Sequence, residues 1–270
     1  MHQVKFRFDT GAATHEGRVR DHNEDSYLAR PASGLWLVAD GMGGHEAGDF
    51  ASRTIADSAQ WTGVPSSALD LKERFIDRLL IAHDDIRAQS RKLNGATVGA
   101  TLVALLAFEK HFACIWSGDS RIYLLRDGKL QQMTIDHTEA QELLREGAIT
   151  EEEAENWPRK NVITRAIGVS ETPETDENYG ILHVGDVFLL CSDGLTGHVT
   201  DEEIARHLVK SGSQHVCDKL IELTLSRGAK DNVTVLVVRC MSDEDIDEDD
   251  MPTIPGNGPP INIGDWKTED

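Results

Sequence analysis

Six short runs rich in Val, Leu, Ile and aromatic residues recur along this chain, at 34–39, 97–108, 111–116, 121–125, 187–191 and 233–238. Only Glu109 and Lys110 separate the second run from the third, and four residues separate the third from the fourth. A parallel crossover needs a dozen residues or more, so runs this close pair antiparallel. Lys110 with His111, and Arg126-Asp127-Gly128-Lys129, read as hairpin turns. The chain is therefore expected to build a mostly antiparallel sheet.

Helical periodicity is clearest over 69–92, where Leu69, Ile76, Leu79, His83 and Ile86 recur on one face. A second amphipathic helix is predicted over 46–59. Others are predicted over 214–226 and over 201–210, where Thr200 stands as cap with Glu203 three residues on. Segregated strands and helices give an α+β class, with sheets buried between helical layers rather than a doubly wound parallel sheet. Residues 136–180 are polar, carry Pro158 and Pro173, and read as an excursion from the core. From residue 242 the sequence turns acidic and then Pro- and Gly-rich, too poor in apolar surface to order itself. The expected organisation is one domain over 1–241, with a flap at about 136–180, and a solvated acidic tail over 242–270.

The chain's 270 residues carry 47 acids against 27 bases, a formal charge of -20. A field of that sign repels nucleic acid and anionic membrane surfaces, and neither is expected as a partner. The tail holds ten acids and one lysine, which leaves 37 acids against 26 bases on residues 1–241. If some of these carboxylates converge in a cleft they repel one another unless cations lie between them, so metal is the first ligand to look for. Cys114, Cys191, Cys217 and Cys240 show no C-x-x-C spacing and read as buried free thiols. No signal peptide or membrane span is evident, and a cytoplasmic, monomeric protein is expected.

Four short blocks place an Asp beside Gly, Ser or Asn next to an apolar strand: LVADGMGG ending at Gly44, SGDSR ending at Arg121, LLCSDGLTG ending at Gly197, and KDNVTVLVV ending at Val238. An Asp at a strand end is held in place while the following Gly lets a ligand approach the backbone, a common construction for oxygen-rich metal sites. Taken singly, each block is also an ordinary turn. Together they make Asp40, Asp119, Asp193 and Asp231 candidates to converge. A fifth block, RVRDHNED, places Glu24 and Asp25 just after Arg20, whose rigid fork of donors matches a phosphate.

In order, Arg20 with Asn23-Glu24-Asp25, Asp40-Gly41-Met42-Gly43-Gly44-His45, Gly118-Asp119-Ser120-Arg121, Ser192-Asp193-Gly194 and Asp231-Asn232 resemble the metal-dependent protein phosphatases (PPM, type 2C), in their compact bacterial branch. The resemblance covers roughly residues 6–240. It implies a four-layer αββα sandwich, two antiparallel sheets flanked by helix pairs, with the metals at one end. It also implies a phosphoserine/phosphothreonine hydrolase using two Mn2+ or Mg2+ ions and a third, weaker one. Carried over, Asp40 bridges two ions, Gly41 offers its carbonyl, Asp193 and Asp231 complete one shell, and Glu24 acts through a water. Asp119 with Asp193 holds the third ion, and Arg20 holds the substrate phosphate.

Met42 stands where eukaryotic relatives carry a His that protonates the leaving alkoxide, and Met42 has no proton to give. His45 is the candidate substitute acid; it equally suits a helix cap or a solvent contact, with a metal-held water as the other proton source. The expected partners are phosphorylated proteins, among them a Ser/Thr kinase and its substrates. Two rival readings remain, an inactive phosphoprotein-binding module of the same fold and a small-metabolite phosphatase. No metal Asp is missing, as an inactive module would usually show, and substrate assays separate the second.

Overall fold

A computed structural model describes residues 5–210 and 212–242; the expected tail lies outside the described residues except for Ser242, which ends a strand. In chain order the elements are β1 (Phe6–His15), β2 (Asp25–Arg30), β3 (Leu35–Met42), α1 (His45–Ala59), α2 (Ala68–Lys92), β4 (Gly99–Ala100), β5 (Leu102–Phe108), β6 (His111–Ser117), β7 (Arg121–Arg126) and β8 (Lys129–Gln132). There follow α3 (Glu139–Arg145), α4 (Glu151–Glu155), β9 (Asp176–Ile181), β10 (Val187–Cys191), α5 (Asp193–Thr196), α6 (Asp201–Leu208), α7 (Ser213–Ser226) and β11 (Val233–Ser242).

The strands form two sheets, ordered β1-β11-β10-β7-β8 and β2-β3-β5-β6-β9, with β4 beside β3, and every strand pair is antiparallel. Alternation along β3 shows why the sheets stack. Trp36 and Val38 point into a core shared with Phe188, Leu190 and Leu236 of the other sheet, whereas Leu35, Leu37 and Ala39 pack against Ile55 of α1 and Phe75 of α2. Both faces are buried, so the strand reads as an unbroken apolar run. A third core joins Leu189, Val235 and Val237 to Leu208 of α6 and Leu220 of α7. The layers are thus helices, sheet, sheet, helices, as expected for the αββα class.

The predicted helices form with small shifts. Thr200 and Glu203 make the reciprocal capping box at the start of α6, which ends at Leu208. In α2 the buried face begins at Leu71 and Phe75 and continues through Leu79, His83 and Ile86. Leu69, assigned to that face from the sequence, is 63% exposed instead, at the rim of an apolar cavity that it lines with Leu71, Leu106, Phe112 and Tyr179. All four cysteines are free and buried. Residues 136–180, where a flap is expected, hold α3 and α4, and the last of them enter β9 and pair with β6.

Candidate metal centre

Asp40 stands near the end of β3, directly opposite Asp25 of β2 in the strand register. Its backbone N–H donates to Thr101 Oγ1 at 3.1 Å, and its carbonyl accepts from the Thr101 N–H at 2.8 Å. The Thr101 hydroxyl in turn meets Ser120 Oγ at 2.7 Å, so one threonine ties the Asp40 strand to the Gly118–Arg121 loop.

Gly41 is required by close approach. A Cβ there would come within 2.1 Å of the Gly48 carbonyl oxygen of α1 and 2.7 Å of the Glu24 carbonyl oxygen. A Cβ on Gly48 would in turn meet the Glu24 carboxylate at 2.5 Å. The helix, the strand end and Glu24 are therefore packed backbone to backbone. Glu24 is held from the other side by Asn232, whose Oδ1 accepts its N–H at 2.8 Å while Nδ2 donates to the carbonyls of Glu16 and His22.

The two sheets meet beneath the site. Ser192 Oγ donates to Asp25 Oδ2 at 2.7 Å and accepts the Thr234 N–H at 3.0 Å. Ser192 precedes α5, so Asp193 occupies that helix's first turn. Arg20 donates from Nη2 to Asp231 Oδ2 at 2.7 Å, with its side chain half exposed.

These elements bring Arg20, Glu24, Asp40, Gly41, Asp119, Asp193, Asp231 and Asn232 around one cavity of about 280 Å³, with Met42 and the flap residue Ile163 also on its wall. Every site residue read from the sequence is there except His45, which opens α1 but whose side chain lies outside the described residues. A larger cleft of about 700 Å³ opens from Asp119 and Asp193 toward the flap, reaching Glu151, Glu155 and Lys160. Asn232, Ser192 and Asp25 stand in the quoted motifs but received no role from the sequence. Thr101 gave no signal at all, being one hydroxyl inside an apolar run.

The electrostatics call for cations. Burial, and then the charges of Asp25, Asp193, Asp119 and Asp231, hold the Asp40 carboxyl well above the usual carboxylate range. Asp119 is pushed up to about 7 by burial and the Asp193 charge; it is 8% exposed, and its Oδ1 is buried without a hydrogen-bond partner. Asp193 is raised by burial and by Asp231, a hydrogen bond with Asp40 offsetting part of the shift. Oxygen donors that repel one another, one with an unused buried lone pair, fit hard divalent ions. Among the described residues no three or more Asp, Glu, His or Cys side chains are gathered closely enough, as they stand, to hold a metal ion. An open wall of carboxylates suits ions such as Mg2+ that keep several waters.

The family model for protein phosphatase 2C matches residues 14–227. The chain belongs to the protein phosphatase 2C family. It is 38% identical over 236 residues to the serine/threonine phosphatase stp of Listeria monocytogenes serotype 4b (strain F2365), covering 83% of this chain and 93% of that one. Its fold superposes on PppA, a regulatory component of T6SS in Pseudomonas aeruginosa, with TM-score 0.82 and 40% identity over 88% of this chain and 99% of that chain. The catalytic domain of PstP in complex with two manganese ions gives TM-score 0.78 at 36% identity, over 87% and 99%. The family, the fold class and the protein phosphatase activity expected from the five motifs hold for this 2C-family phosphatase.

The same carboxylates set a pH dependence for this phosphatase. Burial, and then neighbouring Asp charges, push the Asp25 and Asp119 carboxyls up to about 7 in the fold, against 3.8 ordinarily. Between those values the folded chain holds more protons than the unfolded one, so in chelator stability falls as pH rises from about 4 through 7. A divalent ion replaces those protons. Saturating Mn2+ is therefore expected to raise the melting temperature more at pH 7.5 than at pH 5.5. Thermal scans at the two pH values check this, and an equal or larger gain at pH 5.5 contradicts it.

Proposed function

We propose that this phosphatase hydrolyses phosphoserine and phosphothreonine on proteins with two Mn2+ or Mg2+ ions, and a third weaker one, held by the carboxylates of the 280 Å³ cavity. The observation that supports this reading best is that five blocks scattered from Arg20 to Asn232 line one wall. Asp40, which stands near Asp25, Asp193, Asp119 and Asp231, would serve both ions, with the Gly41 carbonyl, Asp193 and Asp231 as further ligands and Glu24 acting through a water. Asp119 and Asp193, which also share the larger cleft, are the pair for the third ion. Bound there, the ions acidify a water and offset charge on the attacking and leaving oxygens.

The chain's own groups supply the rest. Arg20 is anchored by one N–H on Asp231, and among the described residues its guanidinium makes no other hydrogen bond, which leaves donors to clamp a phosphate at the cavity mouth. Met42 faces the cavity with no proton to give, which leaves His45 or solvent to protonate the leaving alkoxide. Residues 1–241 act as one catalytic domain whose flap, 136–180, selects among phosphoproteins. No helix among the described residues is long and apolar enough to cross a membrane. The protein works as a cytoplasmic monomer opposite a Ser/Thr kinase and that kinase's substrates; unchanged phosphorylation of all such proteins after deletion of the phosphatase would argue against that pairing.

The direct test is hydrolysis of a phosphothreonine peptide and of p-nitrophenyl phosphate with Mn2+, with Mg2+ and with chelator, for wild type and Asp193→Asn. Turnover that needs the metal and falls by about 10²-fold or more in the variant is expected. A folded wild type without turnover in either metal would instead fit the inactive binding module.

A further inference from the structure

His137 is 2% exposed and none of the five motifs contains it. It grips one residue twice. Its ring Nδ1 accepts the Gly118 N–H at 3.1 Å, and its backbone N–H donates to the Gly118 carbonyl at 2.9 Å. An imidazole nitrogen that accepts a backbone N–H carries no proton, so the hydrogen lies on Nε2, which faces Asp176 Oδ2 of β9 at 3.1 Å. The ring stacks on Trp116 with centroids 6.1 Å apart and planes 19° from parallel. Asp176 accepts a second donor, Arg165 Nη1 of the flap, at 3.1 Å.

Gly118 is tightly confined. Its φ is +106°, and a Cβ there would lie 2.6 Å from Thr101 Cγ2, so the loop is pressed between Thr101 and His137. The next residue is Asp119, with its unpartnered buried oxygen.

We propose that His137 is a positioning residue: held in one tautomer by Asp176, its imidazole fixes the Gly118 backbone and thereby aims the Asp119 carboxylate into the cavity. Because Asp176 also holds Arg165, the metal-facing loop and the flap share a single anchor. The inference rests on the reading of Asp119 as a ligand of the third ion. It assigns the imidazole two directed hydrogen bonds, where a histidine that merely fills the core needs only volume.

Two substitutions in the full chain separate these roles. The Oδ1 of His137→Asn lies close to the position of Nδ1, so it keeps an acceptor for Gly118 and loses Asp176. His137→Gln reaches the Nε2 position, keeping Asp176 and losing Gly118. The first readout is hydrogen exchange of the Gly118 amide, relative to that of Leu105 in the interior strand β5, measured in chelator; the ratio cancels any change in global stability. The second is calorimetric titration of the weakest Mn2+ site. In His137→Gln the exchange ratio is expected to rise tenfold or more and the weakest Mn2+ to bind about 10–100-fold less tightly, as for loss of a group that orients a metal ligand. His137→Asn is expected to stay within about threefold of wild type on both, by the same comparison. Equal effects of the two variants, or an unchanged Gly118 exchange in His137→Gln, would overturn the proposal. Asp119→Asn, titrated alongside, tests the ligand reading on its own. If that variant binds every ion with wild-type affinity, Asp119 is not a ligand, and Gly118 exchange still decides whether His137 holds the loop.

Discussion

Asp40→Asn is expected to lower kcat/KM by at least about 10³-fold while making the metal-free protein more stable. Removing one preorganised group that stabilises transition-state charge costs about 10²–10³-fold, and in the proposed mechanism Asp40 serves two ions rather than one. The stability change has the opposite sign for an electrostatic reason. Half-buried among four other carboxylates, Asp40 binds its proton more tightly in the fold than when unfolded. At pH 7.5 the metal-free native state must either keep that proton or bear the repulsion, and each costs stability that a neutral amide of the same shape does not. For a domain this large, each kcal/mol of relief raises the melting temperature by roughly 2–4 °C. Saturating Mn2+ reverses the order, because the wild type gains stability from binding and the variant gains little. Melting curves in chelator and in Mn2+, with phosphopeptide kinetics, measure all three effects. A variant that melts below wild type in chelator would mean that the carboxylate cluster carries no stored repulsion.

Trp36→Ala carries the largest stability cost. Trp36 is fully buried between the sheets, packs edge-to-face on Phe8 at 4.9 Å, and donates from Nε1 to Thr10 Oγ1 at 3.1 Å. Deleting a buried Trp side chain leaves a cavity that sheets fixed by their hydrogen bonds cannot close, at a cost of about 3–5 kcal/mol. Against a total stability of about 5–15 kcal/mol, that leaves the fold marginal. Urea unfolding should show a lowered midpoint with an unchanged slope. Trp61, 73% exposed, is the control, and Trp61→Ala should change stability by no more than about 0.5 kcal/mol. A loss below about 1 kcal/mol for Trp36→Ala would mean that the inter-sheet core repacks around the gap.

The strands legible in the sequence and those that were not differ in a single physical respect. β3, β5, β6, β7, β10 and β11 lie inside the sheets, buried on both faces, and each announces itself as an apolar run. β1, β2, β8 and β9 are the four sheet edges. Half solvated and carrying residues such as Asp9, Lys129 and Glu177, they have too little apolar character to stand out, and an open edge is safest that way. The Leu69 misplacement has a different origin, since periodicity gives a helix face but not how deeply each position on it is covered.

At the site, the sequence by itself determined the chemistry. Asp40, Asp119, Asp193, Asp231, Glu24 and Arg20 could be named because five short blocks, each alone an ordinary turn, occur together and in the order of a known family. What holds those groups was decided only by the tertiary structure. Asn232 gripping the Glu24 loop from more than two hundred residues away, Ser192 reaching across the sheets to Asp25, Thr101 bridging Asp40 to Ser120, and His137 clamping Gly118 are each one polar side chain making a contact distant in sequence. A reacting group is recognisable from its own chemistry, whereas a supporting residue is defined only by its neighbours, and those exist once the two sheets have stacked.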